Sequence, residues 1–375
     1  VSGDVRHLYV HLPFCVHRCG YCDFVTAVGR RDRHGQYVEA LLTELALERH
    51  LLADEVETVF LGGGTPTFTE PRALGRLLAA LPRADELTVE ANPETVTPEL
   101  AAMLRRHGVN RVSLGAQSFR SHLLAVLERA AQPDTVRRAF GYLRDAGFDN
   151  ISLDLIYGIP GQTSGDLAAD LADALALGPE HLSWYELEAK PGTRFTHAHG
   201  DELTLQADAM EGYFERVIEE MTAARYRWYE TANFCRRDDA AGGRDLRSRH
   251  NLAYWRAHDY LGLGIGAVST VAGRRWRNAP RLRAYMDALS ECRRPPRELE
   301  PLAPAVRRRE RVMLGLRLDE PLMLAGLQAA VDRAALARVE RLGLARLTAA
   351  GNREELTLTP RGRMLGGAVT AELLT

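Results

Sequence analysis

In the first half of the chain, short apolar runs alternate with longer stretches that are apolar on one side only. The runs are Leu8–Pro13, Thr58–Gly63, Leu87–Asn92, Arg111–Gln117, Ile151–Gly158 and His181–Leu187. Each is brief and rich in Val, Ile, Leu or aromatic residues, as buried strands are. Between them the spacing predicts helices over Tyr37–Leu52, Leu74–Leu81, Pro98–His107, Thr135–Ala146 and Asp166–Leu177. Gly108, Gly147 and Gly178 follow three of these at the position where a left-handed residue ends a helix. Thr97-Pro98 reads as an N-cap with proline at the first helical position. Repeated β–α units imply a parallel sheet with right-handed crossovers, here six of the eight units of a closed β/α barrel. A doubly wound open sheet is the alternative.

Polar positions inside these runs favour the barrel. Side chains alternate faces along a strand. Ser152 and Asp154 therefore oppose Ile151, Leu153 and Leu155; Glu90 shares a face with Asn92, and Ser113 with Gln117. Polar groups near the carboxyl ends of neighbouring, helix-covered strands are expected to line one pocket.

After Lys190-Pro191-Gly192 the pattern changes. Leu203–Arg225 reads as one long helix, Arg227–Cys235 as a strand and Arg236–Arg249 as a polar loop. A short segment, His250-Asn251-Leu252-Ala253-Tyr254-Trp255, and a Gly-rich stretch, Tyr260–Ser269, follow. Pro280–Cys292 reads as a helix and Arg293–Pro304, with its prolines, as a linker. Ala305–Thr375 carries three helical patterns and a hairpin through Gly351-Asn352, which suits a small α+β, winged-helix-like module. The expected division is 1–190 for the barrel, 191–292 for an extension of it and 305–375 for a C-terminal domain.

Composition narrows the function classes. The 375 residues carry 48 Lys plus Arg against 50 Asp plus Glu, a formal charge of −2, which argues against nucleic acid as a default partner. Lys190 is the only lysine, a bias best read as compositional. No apolar run has the length of a membrane span, and the opening residues lack the charged and apolar regions of a signal peptide, so a cytoplasmic protein is expected.

Of five cysteines, Cys15, Cys19 and Cys22 fall within eight residues, while Cys235 and Cys292 are isolated. Clustered thiols in a reducing compartment point to metal or iron–sulfur chemistry rather than disulfides. The triad follows the first strand directly and so belongs at the barrel mouth. Three thiolates can hold three irons of a [4Fe–4S] cube and leave the fourth open to a small chelating molecule. A structural zinc site, with His11 or His17 as fourth ligand, is the alternative.

Tyr9-Val-His-Leu-Pro-Phe-Cys15, continued to Cys19 and Tyr21-Cys22, strongly resembles the radical S-adenosylmethionine (SAM) superfamily. With Gly62-Gly63-Gly64-Thr65-Pro66-Thr67 and Asp154-Leu-Ile-Tyr-Gly158 it resembles the oxygen-independent coproporphyrinogen III oxidase family over nearly the whole chain. The resemblance implies a partial (β/α)6 barrel in which the cluster passes one electron to bound SAM, giving methionine and a 5′-deoxyadenosyl radical. It implies an outside electron donor for the cluster. By motif position, Tyr9 and Tyr21 would pack near SAM, and Gly63, Gly64 and Thr65 would contact its methionine part. Glu90 would accept hydrogen bonds from it, Gln117 and Asp154 would bind its other polar groups, and Arg129 would meet its carboxylate. Relatives usually have Gly-Arg-x-His at that last position, where this chain reads Glu128-Arg129-Ala130-Ala131.

Decarboxylating members of the family typically have a further cysteine two residues after the triad, where this chain has Phe24. Cys22-Asp23-Phe24 and the HNxxYW pattern of His250–Trp255 instead resemble the HemW branch, described as haem chaperones. That resemblance implies haem as ligand with His250 beside it, no catalytic residue, and delivery to an acceptor protein, such as a respiratory one. Arg244, Arg247 and Arg249 are expected, from proximity alone, to pair with haem propionates. The competing expectation is a true coproporphyrinogen oxidase; a radical SAM enzyme acting on another substrate is a third.

Overall fold

The structure, a computed structural model, describes residues 3–188, 194–238, 243–350 and 353–374. Lys190 and the Gly351-Asn352 turn lie outside them.

Six parallel strands stand side by side in chain order: β1 (His7–Leu12), β2 (Val56–Gly63), β3 (Ala84–Ala91), β4 (Arg111–Gln117), β5 (Ile151–Tyr157) and β6 (His181–Glu186). Helices α1 (His34–Glu48), α2 (Pro71–Ala80), α3 (Pro98–Arg106), α4 (Pro133–Asp145) and α5 (Ser164–Leu177) connect them. The caps read from sequence are present. Thr97 Oγ1 accepts from the Leu100 amide at 3.2 Å, and Gly108, Gly147 and Gly178 have φ of 84°, 86° and 63°.

The sheet continues past both ends. Leu261–Leu263, from the Gly-rich stretch, pairs parallel with β1, and the hairpin β7 (Tyr226–Trp228) and β8 (Asn233–Arg236) adds antiparallel to β6. Nine strands thus form an open sheet around a partial six-unit barrel. The hairpin corrects the single strand expected over Arg227–Cys235. The long helix expected over Leu203–Arg225 is divided into Arg194–Ala207 and Met210–Ala223.

The core between sheet and helices is made of fully buried Leu8, Val10, Val59, Leu61, Val89, Leu114, Leu153 and Leu155 with their helical partners. Fully burying such a side chain is worth roughly 1.5–3 kcal/mol, so the helix-facing side fixes the strand register. On the other side, exposure returns at the polar positions noted above: Asp154 is the only residue of β5 that is not fully buried, and Glu90 is half-buried near the end of β3.

The expected linker is partly a strand. Arg297–Pro301 is the edge of a three-stranded antiparallel sheet with Val268–Val271 and Arg274–Asn278. An edge position tolerates proline at the strand end, which is why the prolines misled. Beyond it, Pro304–Gly315, Arg333–Arg341 and a three-stranded sheet (Leu322–Met323, Ala345–Ala350, Arg353–Leu358) build a C-terminal unit with its own core around Val312, Leu336 and Leu356. Among the described residues no helix is long and apolar enough to cross a membrane.

Candidate functional site

The chain between β1 and α1 is pinned at both ends. A two-residue parallel ladder joins Phe14–Cys15 to Ala27–Val28, and His11 bonds the carbonyl of Val25 through Nε2 at 2.8 Å. Burial pushes the His11 pKa down to about 4, so the ring is neutral. A neutral ring that donates from Nε2 accepts at Nδ1, where Tyr9 Oη lies at 3.0 Å. Tyr9 thus acts on the cysteine segment through His11; it stacks on Phe60 and does not line the cavity described below.

Between these pins lie Cys15, Cys19 and Cys22, all half-buried free thiols. Burial pushes Cys15 up to about 11, partly offset by a hydrogen bond from Thr65 Oγ1 at 3.6 Å, and burial raises Cys22 as well. Thiols held protonated by desolvation become ligands when a metal takes the place of the proton. Among the described residues no three His, Cys, Asp or Glu side chains converge tightly enough for one ion. His11, a candidate fourth zinc donor, has both ring nitrogens engaged.

One cavity of about 1130 Å³ is lined by all three cysteines together with Tyr21, Gly63, Gly64, Thr65, Glu90, Gln117, Arg129 and Asp154. Tyr21 packs edge-on against buried Phe195, with ring centroids 6.4 Å apart. The glycines close the rim in a way the sequence did not suggest. A Cβ on Gly63 would lie 2.5 Å from the His11 ring, and one on Gly64 2.6 Å from the Pro13 backbone. Their missing side chains let the end of β2 press on the end of β1, and Gly63 also has φ of 111°.

Glu90 accepts from the Gly63 amide at 3.1 Å. Burial, and then the neighbouring charge of Asp154, push its pKa up to about 8. Asp154 is also raised by burial, although Ser113 Oγ donates to it at 2.8 Å and Ser152 Oγ at 3.2 Å. Burial thus works against the charged form of both acids, an effect that a cationic ligand would oppose. Gln117 follows an irregularity in β4, where Gly115 pairs with Asp154 and Gln117 with Leu155, and Gln117 takes φ of 64°. The bulge re-aims its side chain at the cavity rim. Arg129, just beyond the short helix Ser121–Val126, donates to Asn92 Oδ1 at 2.9 Å and the Gly115 carbonyl at 3.1 Å, and lies 3.7 Å from Cys19 Sγ. The altered motif around Arg129 therefore does not keep it from the cysteine wall.

The HNxxYW segment is a helix, α6 (Arg249–Trp255). Ser248 caps it, and Glu86 accepts from the amides of Arg249 and His250 at 3.0 and 3.1 Å. Asn251, Tyr254 and Trp255 line the same cavity as the cysteines, but His250 does not. Its ring is buried against Phe60; Nδ1 meets Thr58 Oγ1 at 2.7 Å and Nε2 meets Tyr254 Oη at 3.0 Å. Thr58 bonds His7 in turn, and His7 bonds His258. Burial pushes His250 down to about 3. In this arrangement His250 holds Tyr254 and offers no free nitrogen to an iron. Sequence shows that residues four apart share a helix face, but not which of them turns to the core.

Nor do the three loop arginines reach the cavity. Arg244 pairs with Asp149 at 2.6 Å, Arg247 with Asp245 and Glu320, and Arg249 with Asp85 at 3.0 Å. The cavity wall instead includes Trp228, Glu230, Arg317 and Arg363, and sequence reasoning missed all four. They come from the β7–β8 hairpin and the C-terminal unit, and no local motif links them.

The Radical SAM superfamily model matches residues 9–174. The chain is 36% identical to the heme chaperone HemW of Mycobacterium tuberculosis, covering 100% of this chain and 96% of that one. It is 38% identical to heme chaperone HemW of Escherichia coli over 70% of each chain, and 34% identical to that of Bacillus subtilis over 84% and 83%. Among solved structures, coproporphyrinogen III oxidase (HemN) from Escherichia coli superimposes with a TM-score of 0.81, covering 99% of this chain and 90% of that one at 23% identity. That likeness establishes the fold.

Proposed function

The chain belongs to the HemW heme chaperone family of the radical SAM superfamily, and from that premise we propose that it carries haem and passes it to an acceptor protein. Cys15, Cys19 and Cys22 hold a [4Fe–4S] cluster, and SAM binds beside it against Thr65, Glu90, Gln117, Arg129 and Asp154. A cluster held there and reduced by an outside electron donor would supply one-electron chemistry toward SAM. The chain's own work is to place and shield these groups. Arg129 receives a carboxylate, Glu90 and Asp154 face the cationic parts, and Thr65 supports Cys15. His11 fixes the cysteine segment.

The observation that carries the reading is a shared space. The cysteine wall and the Asn251–Tyr254–Trp255 face of α6 bound one cavity of about 1130 Å³, larger than the ~300–1,000 Å³ usual for one small ligand. Haem enters against Tyr254 and Trp255. His250 acts from behind, as the group that orients the tyrosine.

The test is anaerobic reconstitution of the cluster, followed by haem titration and a coproporphyrinogen III decarboxylation assay on the same preparation. Haem uptake without turnover is expected. Clear conversion to protoporphyrinogen would instead make this chain an oxidase, a reading that Phe24 at the position of the oxidases' extra cysteine does not favour. His250→Ala is expected to weaken haem uptake while leaving the cluster absorbance unchanged.

A further inference from the structure

Four arginines line the cavity, and two of them have no part in the site just described. Arg18, bonded to the Cys22 carbonyl, and Arg129 belong to the cysteine wall. Arg317 and Arg363 stand on the C-terminal unit. The Arg363 guanidinium lies 3.7 Å from the centre of the Trp228 ring and donates from Nη1 to the Trp228 carbonyl at 2.8 Å. Its Nε and Nη2 are buried and have no hydrogen-bond partner. Burial pushes its pKa down to about 10, only partly opposed by Asp319, which is itself paired with Arg227, and by Glu230. Arg317 lies 4.9 Å over the Trp255 ring, on the helix that carries the HNxxYW pattern.

A cation seated on an indole face is held in place without being neutralised. That separates this pair from Arg244, Arg247 and Arg249, each already matched to a carboxylate. Glu230 also lines the cavity, but burial pushes its pKa up to about 7, so its charge is only partial near neutrality. Around the arginines the wall is apolar: Met313, Leu316 and Met364. A flat apolar ligand carrying carboxylates on one edge fits such a surface, and a buried guanidinium with unmet donors fits a carboxylate by geometry as well as charge.

We infer that Arg317 and Arg363 form a carboxylate subsite that receives the propionates of a tetrapyrrole held against Trp255 and the Met313–Leu316–Met364 surface. This deepens the carrier reading and rests on it.

The test compares haem, haem dimethyl ester and iron-free protoporphyrin IX on the cluster-loaded full chain. Wild type is expected to bind haem and protoporphyrin more tightly than the ester by about tenfold or more, the scale of one charge-assisted hydrogen bond. Arg317→Gln and Arg363→Gln should each reduce that preference, and the double variant should bind ester and haem alike. Because Arg317 is exposed, its substitution leaves the fold intact and keeps the test sound if Arg363→Gln proves unstable. An undiminished preference in Arg317→Gln and in any folded Arg363→Gln protein would overturn the subsite while the carrier reading stands. Failure of wild type to bind any of the three would overturn both.

Discussion

At the scale of single residues, one charge effect on the cavity wall can be tested directly, that at Glu90. Its pKa, raised to about 8 by burial and by Asp154, means the native state binds a proton that the unfolded chain releases near the ordinary carboxylate range. The stability it contributes is complete below that range and is lost as pH rises through about 8, at up to about 1.4 kcal/mol per pH unit. Glu230 and the buried cysteines also titrate on that side, so the informative quantity is the difference between wild type and Glu90→Gln. Urea midpoints from pH 6 to 9 should fall for both proteins, and less steeply for the variant; parallel curves would place the proton elsewhere. Glu90 was legible in sequence because strand period and position coincide there. His250 was not: its residue type and motif pointed to an exposed ligand, whereas docking by Thr58 and Tyr254 turned it to the core.

At the scale of elements, the best-read parts are those whose neighbours follow in sequence. All six strands and the five helices between them lie close to where periodicity put them, since each of these helices covers the strand that precedes it. The edge strand Arg297–Pro301 could not be read this way, because its reason to exist is over two hundred residues upstream. Arg297 bonds Glu48 at 2.8 Å and approaches Glu44 at 3.3 Å, and both acids are buried within α1. Glu44 in turn accepts from the Gly264 amide, Asn278 and Tyr285, tying α1 to the sheet edge beside β1. Arg294 also pairs with Glu48, at 2.7 Å, so removing Arg297 leaves Glu44 as the buried acid without a cation, a change worth up to roughly 3–5 kcal/mol. Arg297→Met is expected to lose about that much in denaturant unfolding. Glu44→Gln, whose amide oxygen can still accept from Gly264 and Tyr285 but whose amino group cannot accept from Asn278 or Arg297, should be destabilised as well. The helix α6 offers a milder case: Ser248→Ala removes its N-cap at about 1 kcal/mol.

For the whole molecule, what matters is how the C-terminal unit stays against the cavity. Two acids at its start do the fastening. Asp319 takes Arg227 of β7 in a bidentate pair at 2.7 and 2.9 Å, and its amide bonds the Tyr229 carbonyl. Glu320 takes Arg256, at the end of α6, at 2.8 Å and also Arg247. The same unit carries Arg317 and Arg363, so these pairs hold one wall of the cavity in register with the other. Cys15, Cys19 and Cys22 take no part in these pairs. Asp319→Asn with Glu320→Gln should therefore leave the reconstituted cluster absorbance at wild-type level. It should also speed haem release several-fold and increase cleavage by a trace protease between residues 300 and 304. If release is unchanged while cleavage increases, the unit moves freely but does not hold the cargo. The propionate contacts would then have to lie on the barrel alone.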